Sequence, residues 1–409
     1  MQTRPLILRF SIRRHSIQLA VVAACGAAIT LLFHYGFAAR YSLAEFGDRH
    51  RQSFGTLTRY SNEGAYWFIG AIFALFVCYA LGYWLGVKPS PHFTPLLRRW
   101  ALALIVIGGV MFNLVLLPMY PADASDVYDY IMRGRMQALY GLNPMEDVPQ
   151  QVAGDPFYRF VSWRRTPSAY GPAWEILAHV TTTFTADTSR NTQVIAYKLL
   201  AVAGYGVTAL FIALTLRQIA PRRLLVGTYL FMWNPLVIYM TAGGGHNDTV
   251  MTACMAFAVY ALSRRWYVAS TLGAVLGVLV KFIPALLLPI IALVALRDLG
   301  VRRWLRYALV SALIGGAVAV VMYLPYWHGI DTLRTERRAF MYTGSVATVA
   351  RHWLMPILDG VTDLSTSARE TPNSRALLAN GTLVIFGLYY LSQLIMLLLA
   401  NQALTLNPA

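Results

Sequence analysis

Long apolar runs alternate with short polar connections along most of the chain. Runs at 16–38, 64–87, 100–119, 192–216, 223–242, 247–263, 307–326 and 378–400 each approach the length of about 20 residues that a helix needs to cross a bilayer. The stretch 266–296 is too long for one ordinary span, and it holds Lys281 near its middle with Pro284 just beyond. Proline removes a donor and clashes with the preceding turn. The pattern therefore predicts two short helices, 266–280 and 283–296, meeting at one membrane face. The fold class expected is all-α: a polytopic helical membrane protein of about ten transmembrane helices with helical outer loops.

The connections carry the orientation. Arginine or lysine clusters precede the first span (Arg4, Arg9, Arg13, Arg14) and follow the second (Lys88, Arg98, Arg99), the fourth (Arg217, Arg222, Arg223), the sixth (Arg264, Arg265) and the eighth (Arg297, Arg302, Arg303, Arg306). Every second connection is thus short and basic, and such connections face the cytoplasm. Both termini are expected there. The other face takes 39–63, 120–191, the turn 243–246, the Lys281 turn and 327–377. No repeat, low-complexity tract or linker divides the chain, so one domain over 1–409 is expected, with no soluble C-terminal domain. The first run is too long for a signal core and lacks a small-residue cleavage site, so no cleaved leader is expected.

Composition agrees. Of 409 residues, 57% are hydrophobic and 13% charged, and mean hydropathy is +0.52, whereas soluble proteins carry about 25% charged residues. The net charge of +16 would invite a nucleic-acid partner, but its distribution between apolar runs argues against one. Cys25, Cys78 and Cys254 all lie in apolar runs, so no structural disulfide is expected.

Against this background the stretch DASDVYDYIMRGR, 123–135, gathers three carboxylates and two arginines at the root of the longest outer loop. Ser125 or Asp123 can cap a helix running from Asp126 to Tyr140, and Gly141 and Pro144 stop it. Asp126, Tyr130 and Arg133 share one face of it, and Asp129 and Arg133 can pair at i, i+4. The simpler reading makes Asp123 and Asp126 cap and first-turn acids that complement the helix dipole. The richer one notes that a carboxylate where a span leaves the membrane sits in a partly dry place suited to base chemistry, with arginines nearby to hold an anion.

Three more motifs lie on the same face. Tyr170-Gly171-Pro172 offers a fixed turn with aromatics at interface depth, or merely an aromatic belt. In WNPLVIYMTAGGGHNDTVM, 233–251, three glycines let the backbone approach a ligand closely, and His246, Asn247 and Asp248 offer donors and acceptors. Asn247 or Asp248 also suits the cap of the next helix. One His and one Asp are too few to assign a metal site. Lys281, in KFIP, is a charge near membrane depth, a functional pointer unless it snorkels to the headgroups. In the late loop, Arg334, Arg337, Arg338, Arg351 and His352 face lipid phosphates or water.

Taken in order, SDVYDYIMRGRMQALYGLNPM, YGPAW, WNPLVIYMTAGGGHND and KFIPALLLP resemble the C-type (GT-C) membrane glycosyltransferases. Within that class they are most similar to the bacterial polyprenyl-phosphate-mannose-dependent mannosyltransferases. The resemblance covers about residues 100–330, and four motifs in order are more specific than any alone. It implies a GT-C-like helix arrangement, a polyprenyl-phosphate sugar donor, a glycolipid or glycan acceptor, and chemistry on the outer face of a bacterial plasma membrane. It implies an acidic general base in the first large outer loop, a position that Asp126 matches and for which Asp129 is the alternative. Two departures stand out: the extra acid at Asp129, and Met145 where the family has the tyrosine of NPY.

The implied reaction is a single displacement with inversion, a β-linked mannosyl donor giving an α-linked product. Lys281, Arg133 and Arg135 are the candidate partners of the leaving phosphate. His246 stands near sugar or phosphate, and Tyr130, Asn143, Tyr170, Asn247 and Asp248 complete the binding set. The lipid tail would lie between spans among membrane lipids. No cofactor is expected, and divalent-metal dependence is left open. Competing readings are a transporter or lipid-carrier flippase, which would place polar breaks near the midplane in an internal repeat, a transferase of another sugar on the same scaffold, and a non-catalytic assembly partner.

Overall fold

The computed structural model describes residues 4–47, 54–88, 94–122, 126–333, 346–362 and 371–405. Helices follow one another without a strand among these residues: α1 (Arg4–Phe33), α2 (Leu43–Phe46), α3 (Phe54–Leu57), α4 (Asn62–Leu81), α5 (Pro95–Leu116), α6 (Asp126–Tyr140), α7 (Pro172–Thr185), α8 (Arg190–Ile219), α9 (Leu224–Met232), α10 (Pro235–Ile238), α11 (Asp248–Ser263), α12 (Tyr267–Val280), α13 (Leu287–Leu299), α14 (Val301–Tyr323), α15 (Val346–Leu358) and α16 (Pro372–Thr405). The chain is an all-α polytopic membrane protein. The expected caps Asp123 and Ser125, and Arg334, Arg337 and Arg338 of the late loop, lie outside the described residues.

Six helices among the described residues are long and apolar enough to cross a membrane, within Ile17–Ala38, Asn62–Val87, Pro95–Leu116, Arg190–Ile219, Val301–Tyr326 and Pro372–Leu398. A seventh arises if Pro221–Met232 and Pro235–Gly243, bent by 48°, form one broken span. The bend falls at Asn234-Pro235. The Asn234 side chain accepts hydrogen bonds from the Leu236 and Val237 N–H groups, and Pro235 opens the second segment, so one helix ends and another starts. The remaining three of the ten expected spans are shorter. α11, α12 and α13 have 16, 14 and 13 residues, which reach only about 20–24 Å against a hydrocarbon core of about 30 Å. The expected break within 266–296 is present: Lys281 is extended after α12, and a single 3-10 turn, Ile283–Leu286, separates it from α13.

The chain forms two compact units. The first comprises 1–288 and 306–326, the second 289–305 and 327–409. In the first, α11 packs along α8 and α12, and α6 packs on α7 and α8. Its spans present large apolar side chains outward, such as Ile69, Phe73 and Leu81 of α4, as a lipid solvent favours. The loop after α1 is stitched to the end of α5 by Leu43 N–H donating to Pro118 O at 2.7 Å and Tyr120 N–H to Tyr41 O at 2.6 Å. In the second unit, α15 exposes Val349, Trp353 and Ile357 on one stripe and buries Met355. Asp359 caps α16 by accepting from the Asn373 and Ser374 N–H groups at 2.9 and 3.0 Å.

Candidate active site

α6 runs over the expected residues, and Gly141 at φ +65° ends it, a conformation that favours glycine. Its first residue, Asp126, meets His246 from the glycine turn before α11: His246 Nδ1 lies 3.6 Å from Asp126 Oδ2, with about a third of the Asp126 side chain exposed (33%). Gly245 takes φ +72° in that turn. A Cβ there would crowd Lys198 and Val127, so the turn lies against the first turn of α6. Asn247 caps α11 through its backbone. Its side chain is fully buried, and both amide atoms lack a hydrogen-bond partner.

The next residue of the turn, Asp248, pairs with Lys281 at 2.8 Å, each part-exposed. This supplies the partner a charge at the α12 break requires. Lys281 Nζ also lies 6.0 Å from the centroid of the Tyr170 ring. Tyr170 is placed by the turn after it. Gly171 N–H donates to Val280 O at 3.0 Å, and a Cβ on Gly171 would come within 2.1 Å of Leu279 O, so only glycine permits this approach to the end of α12. Tyr170 packs edge-on against Tyr130 of α6 at 5.1 Å, and Tyr130 against Trp174 of α7 at 4.8 Å. Burial pushes both tyrosine hydroxyls above their ordinary range, and the negative charge of Asp126 adds to the effect. Asp126, Tyr130, Tyr170, His246, Asp248 and Lys281 thus converge from four chain segments.

The other expected site residues go elsewhere. Asp129, 2% exposed, does not pair with Arg133. Its carboxylate accepts the N–H groups of Ser162 and Trp163 at 3.4 and 3.1 Å, anchoring the loop over α6. Burial raises its carboxyl to about 6, against the opposing pull of Arg133 and those two N–H groups. Arg133 is buried too. Its Nη2 reaches the Thr166 and Pro167 carbonyls at 3.4 Å, while Nε and Nη1 take no partner. Arg135 is committed to Asp155, with Nε 3.0 and 2.9 Å from the two carboxylate oxygens, and to Gln193 at 3.3 Å. Asn143 shapes its own loop, its Nδ2 donating to Tyr326 O at 2.9 Å and its Oδ1 accepting Met145 N–H at 3.0 Å.

Two buried polar groups have no role assigned from the sequence. Glu175 of α7 accepts from Gln137 of α6 at 3.3 Å and from the Ser168 hydroxyl, and the Tyr326 hydroxyl donates to Gln137 at 2.9 Å. Lys198, fully buried within the span α8, donates to the Leu117 and Met119 carbonyls where α5 ends, the negative pole of that helix. It thereby holds the segment that leads into α6. Among the described residues no group of three or more His, Cys, Asp or Glu side chains is arranged to hold a metal ion.

Comparison with known proteins follows this geometry. Residues 21–297 match the family model described as alpha-(1->6)-mannopyranosyltransferase, N-terminal domain. The chain is similar to alpha-(1->6)-mannopyranosyltransferase A of Corynebacterium glutamicum, with 27% identity over 173 residues. That alignment covers 42% of this chain but 34% of the relative, so the chain matches about a third of that protein's length. No solved structure matches.

Proposed function

The chain belongs to the alpha-(1->6)-mannopyranosyltransferase family, and from that premise we propose that it transfers mannose from a polyprenyl-phosphate donor to a glycolipid or glycan acceptor. The transfer takes place on the non-cytoplasmic face of a bacterial plasma membrane, with both termini on the cytoplasmic side. Asp126 takes the proton of the acceptor hydroxyl as its oxygen attacks the anomeric carbon. The bond from that carbon to the phosphate oxygen breaks with its electron pair on the phosphate. One displacement inverts the centre, so a β-linked donor gives an α-linked product.

The observation that carries this reading is the setting of Asp126. It is part-exposed at the head of α6 and faces His246 at 3.6 Å, and the Asp248–Lys281 pair is drawn to the same cluster by the contact of Tyr130 with Tyr170. Asp129, buried and tied to two backbone N–H groups, has no comparable access. His246 positions the Asp126 carboxylate. Lys281 is the accessible cation for the departing phosphate, where preorganised charge counts most, and Arg133 adds positive potential from beneath. Arg135 and Asn143 hold other parts of the fold, Arg135 through Asp155 and Gln193 and Asn143 through Tyr326 and Met145, so this reading assigns neither to the substrate.

The test is turnover of polyprenyl-phosphate-mannose with a glycolipid acceptor by the purified chain. Asp126→Asn is expected to lower kcat by about 10²- to 10⁴-fold, the range that base catalysis supplies, with folding and donor binding intact. Near-normal turnover by that variant would remove Asp126 from the role.

A further inference from the structure

α15 is built the wrong way round for a helix in water. Val349, Trp353 and Ile357 lie on one stripe of it and are 60, 72 and 77% exposed, and Pro356 beside them is exposed as well. The opposite side carries Met355, 1% exposed, and the part-buried Arg351. Arg351, expected at lipid phosphates or in water, donates from Nη2 to the Thr371 hydroxyl instead. A surface helix in water turns its apolar stripe toward the protein and its charged residues outward. α15 does the reverse, with exposed His352 marking the polar edge of the stripe. Its 13 residues reach about 20 Å, too short to cross a hydrocarbon core of about 30 Å.

Hydrogen bonds hold α15 at the start of α16. Asp359, just past the end of α15, accepts the Asn373 and Ser374 N–H groups, and the Asn373 side-chain amide donates to Leu358 O at 3.1 Å. With the bond from Arg351 to Thr371, the middle and the end of α15 both reach residues within 371–374. That point has a defined depth. The span in α16, Pro372–Leu398, has 27 residues and a length of about 40 Å, against a core of about 30 Å. Its first turn, which carries Asn373, Ser374 and Arg375, therefore stands in the headgroup zone. Farther along, Leu383, Ile385 and Leu388 are exposed, as lipid contact favours.

The occupant that suits the stripe is the bilayer that surrounds α16. Val349, Trp353, Pro356 and Ile357 are few beside the roughly 20–30 residues that each side of a stable protein interface contributes. Interfacial helices lay such a stripe into the boundary between headgroups and acyl chains, a depth at which tryptophan is enriched. We propose that α15 is an interfacial membrane anchor, its Val349–Trp353–Ile357 stripe lying among phospholipids where the acyl chains meet the headgroups. The proposal does not depend on the reading of Asp126.

The test reads Trp353 in the full chain, reconstituted in phosphatidylcholine vesicles, as the emission difference between wild type and Trp353→Phe. Phosphatidylcholine brominated near the headgroup end of its acyl chains is expected to remove most of that emission. Lipid brominated near the methyl ends should remove less, and aqueous iodide should leave it nearly intact. Moving the indole along the stripe, with Ile357→Trp added to Trp353→Phe, should restore emission with the same quenching order. Quenching by iodide as strong as by the lipids would place the stripe in water and overturn the proposal. Emission that no quencher reaches would show a second copy or another protein surface covering it, with the same consequence. Stronger quenching from the methyl ends would place α15 in the core and overturn the interfacial position.

Discussion

Two sides of α6 carry ionisable groups with opposite fates. On the side facing the glycine turn, Asp126 keeps a third of its side chain exposed and meets His246, and the Asp248–Lys281 pair nearby is likewise part-exposed. On the side facing α7 and α8, Arg135 and Asp155 are buried and bonded to each other, with Gln193 accepting from Arg135 and the Tyr140 hydroxyl and Phe157 N–H donating to Asp155. A run of charge therefore marks two different things within one helix. Groups whose hydrogen bonds are all met inside the fold brace it. Groups that are paired across a gap and reached by solvent can exchange partners with a substrate.

The contrast predicts separable losses. The largest expected effect on stability is on the braced side. Arg135→Met leaves the Asp155 carboxylate buried without its cation, a change that costs about 3–5 kcal/mol, read as a fall in thermal stability in detergent. Arg135→Met with Asp155→Leu should recover much of that loss, because apolar replacement of a whole buried pair is often close to neutral. A single variant of undiminished stability would erase the distinction between the two sides.

On the open side the order reverses. Lys281→Met is expected to lower kcat/KM for the lipid-phosphate donor by about 10- to 100-fold, corresponding to the loss of a charged hydrogen bond, with little change in thermal stability. If the melting point falls and donor kinetics hold, the Asp248–Lys281 pair belongs with the bracing set.

Asp129 sharpens the comparison with the smallest effect. Its folded carboxyl titrates at about 6 against an ordinary value of 3.8, so the folded state holds the proton more tightly than the unfolded chain. The stability from this group is full below about pH 4 and is lost as pH rises through about 6. Asp129→Asn, which mimics the protonated form, should therefore gain stability relative to wild type between pH 5 and pH 7.5, on the order of 1 kcal/mol. A difference that does not vary with pH would show that burial does not govern this carboxyl.

Much of this organisation is legible in the sequence, for identifiable reasons. The end of α6 follows from Gly141 and Pro144, and the break at Lys281 follows from Pro284, because capping and proline geometry are local. The gathering of Asp126, His246, Asp248 and Lys281 follows in part from topology, since alternating basic connections assign their segments to one face. The fates of Arg133 and Arg135 do not follow, because they depend on partners 20 to 58 residues away whose approach is tertiary. The Asp129–Arg133 pairing that helical spacing allows is not made for the same reason: the N–H groups of Ser162 and Trp163 compete better for a buried carboxylate. Lys198 passes unnoticed as one cation in a long apolar run, and only the end of α5 explains it. The two short helices expected on either side of Lys281 are present, because the turn Arg264–Trp266 and the break at Lys281 are both set by local residues.

The central claim is that Asp126 acts on substrate while its neighbours brace the helix. The most direct test measures kcat and thermal stability together for Asp126→Asn and Arg135→Met, with polyprenyl-phosphate-mannose as donor. The account predicts that Asp126→Asn loses about 10²- to 10⁴-fold in kcat at an unchanged melting point. Arg135→Met should lose melting temperature, and the molecules that remain folded should keep most of their kcat. An Asp126→Asn protein that turns over normally, or that loses turnover only in step with its stability, would contradict it.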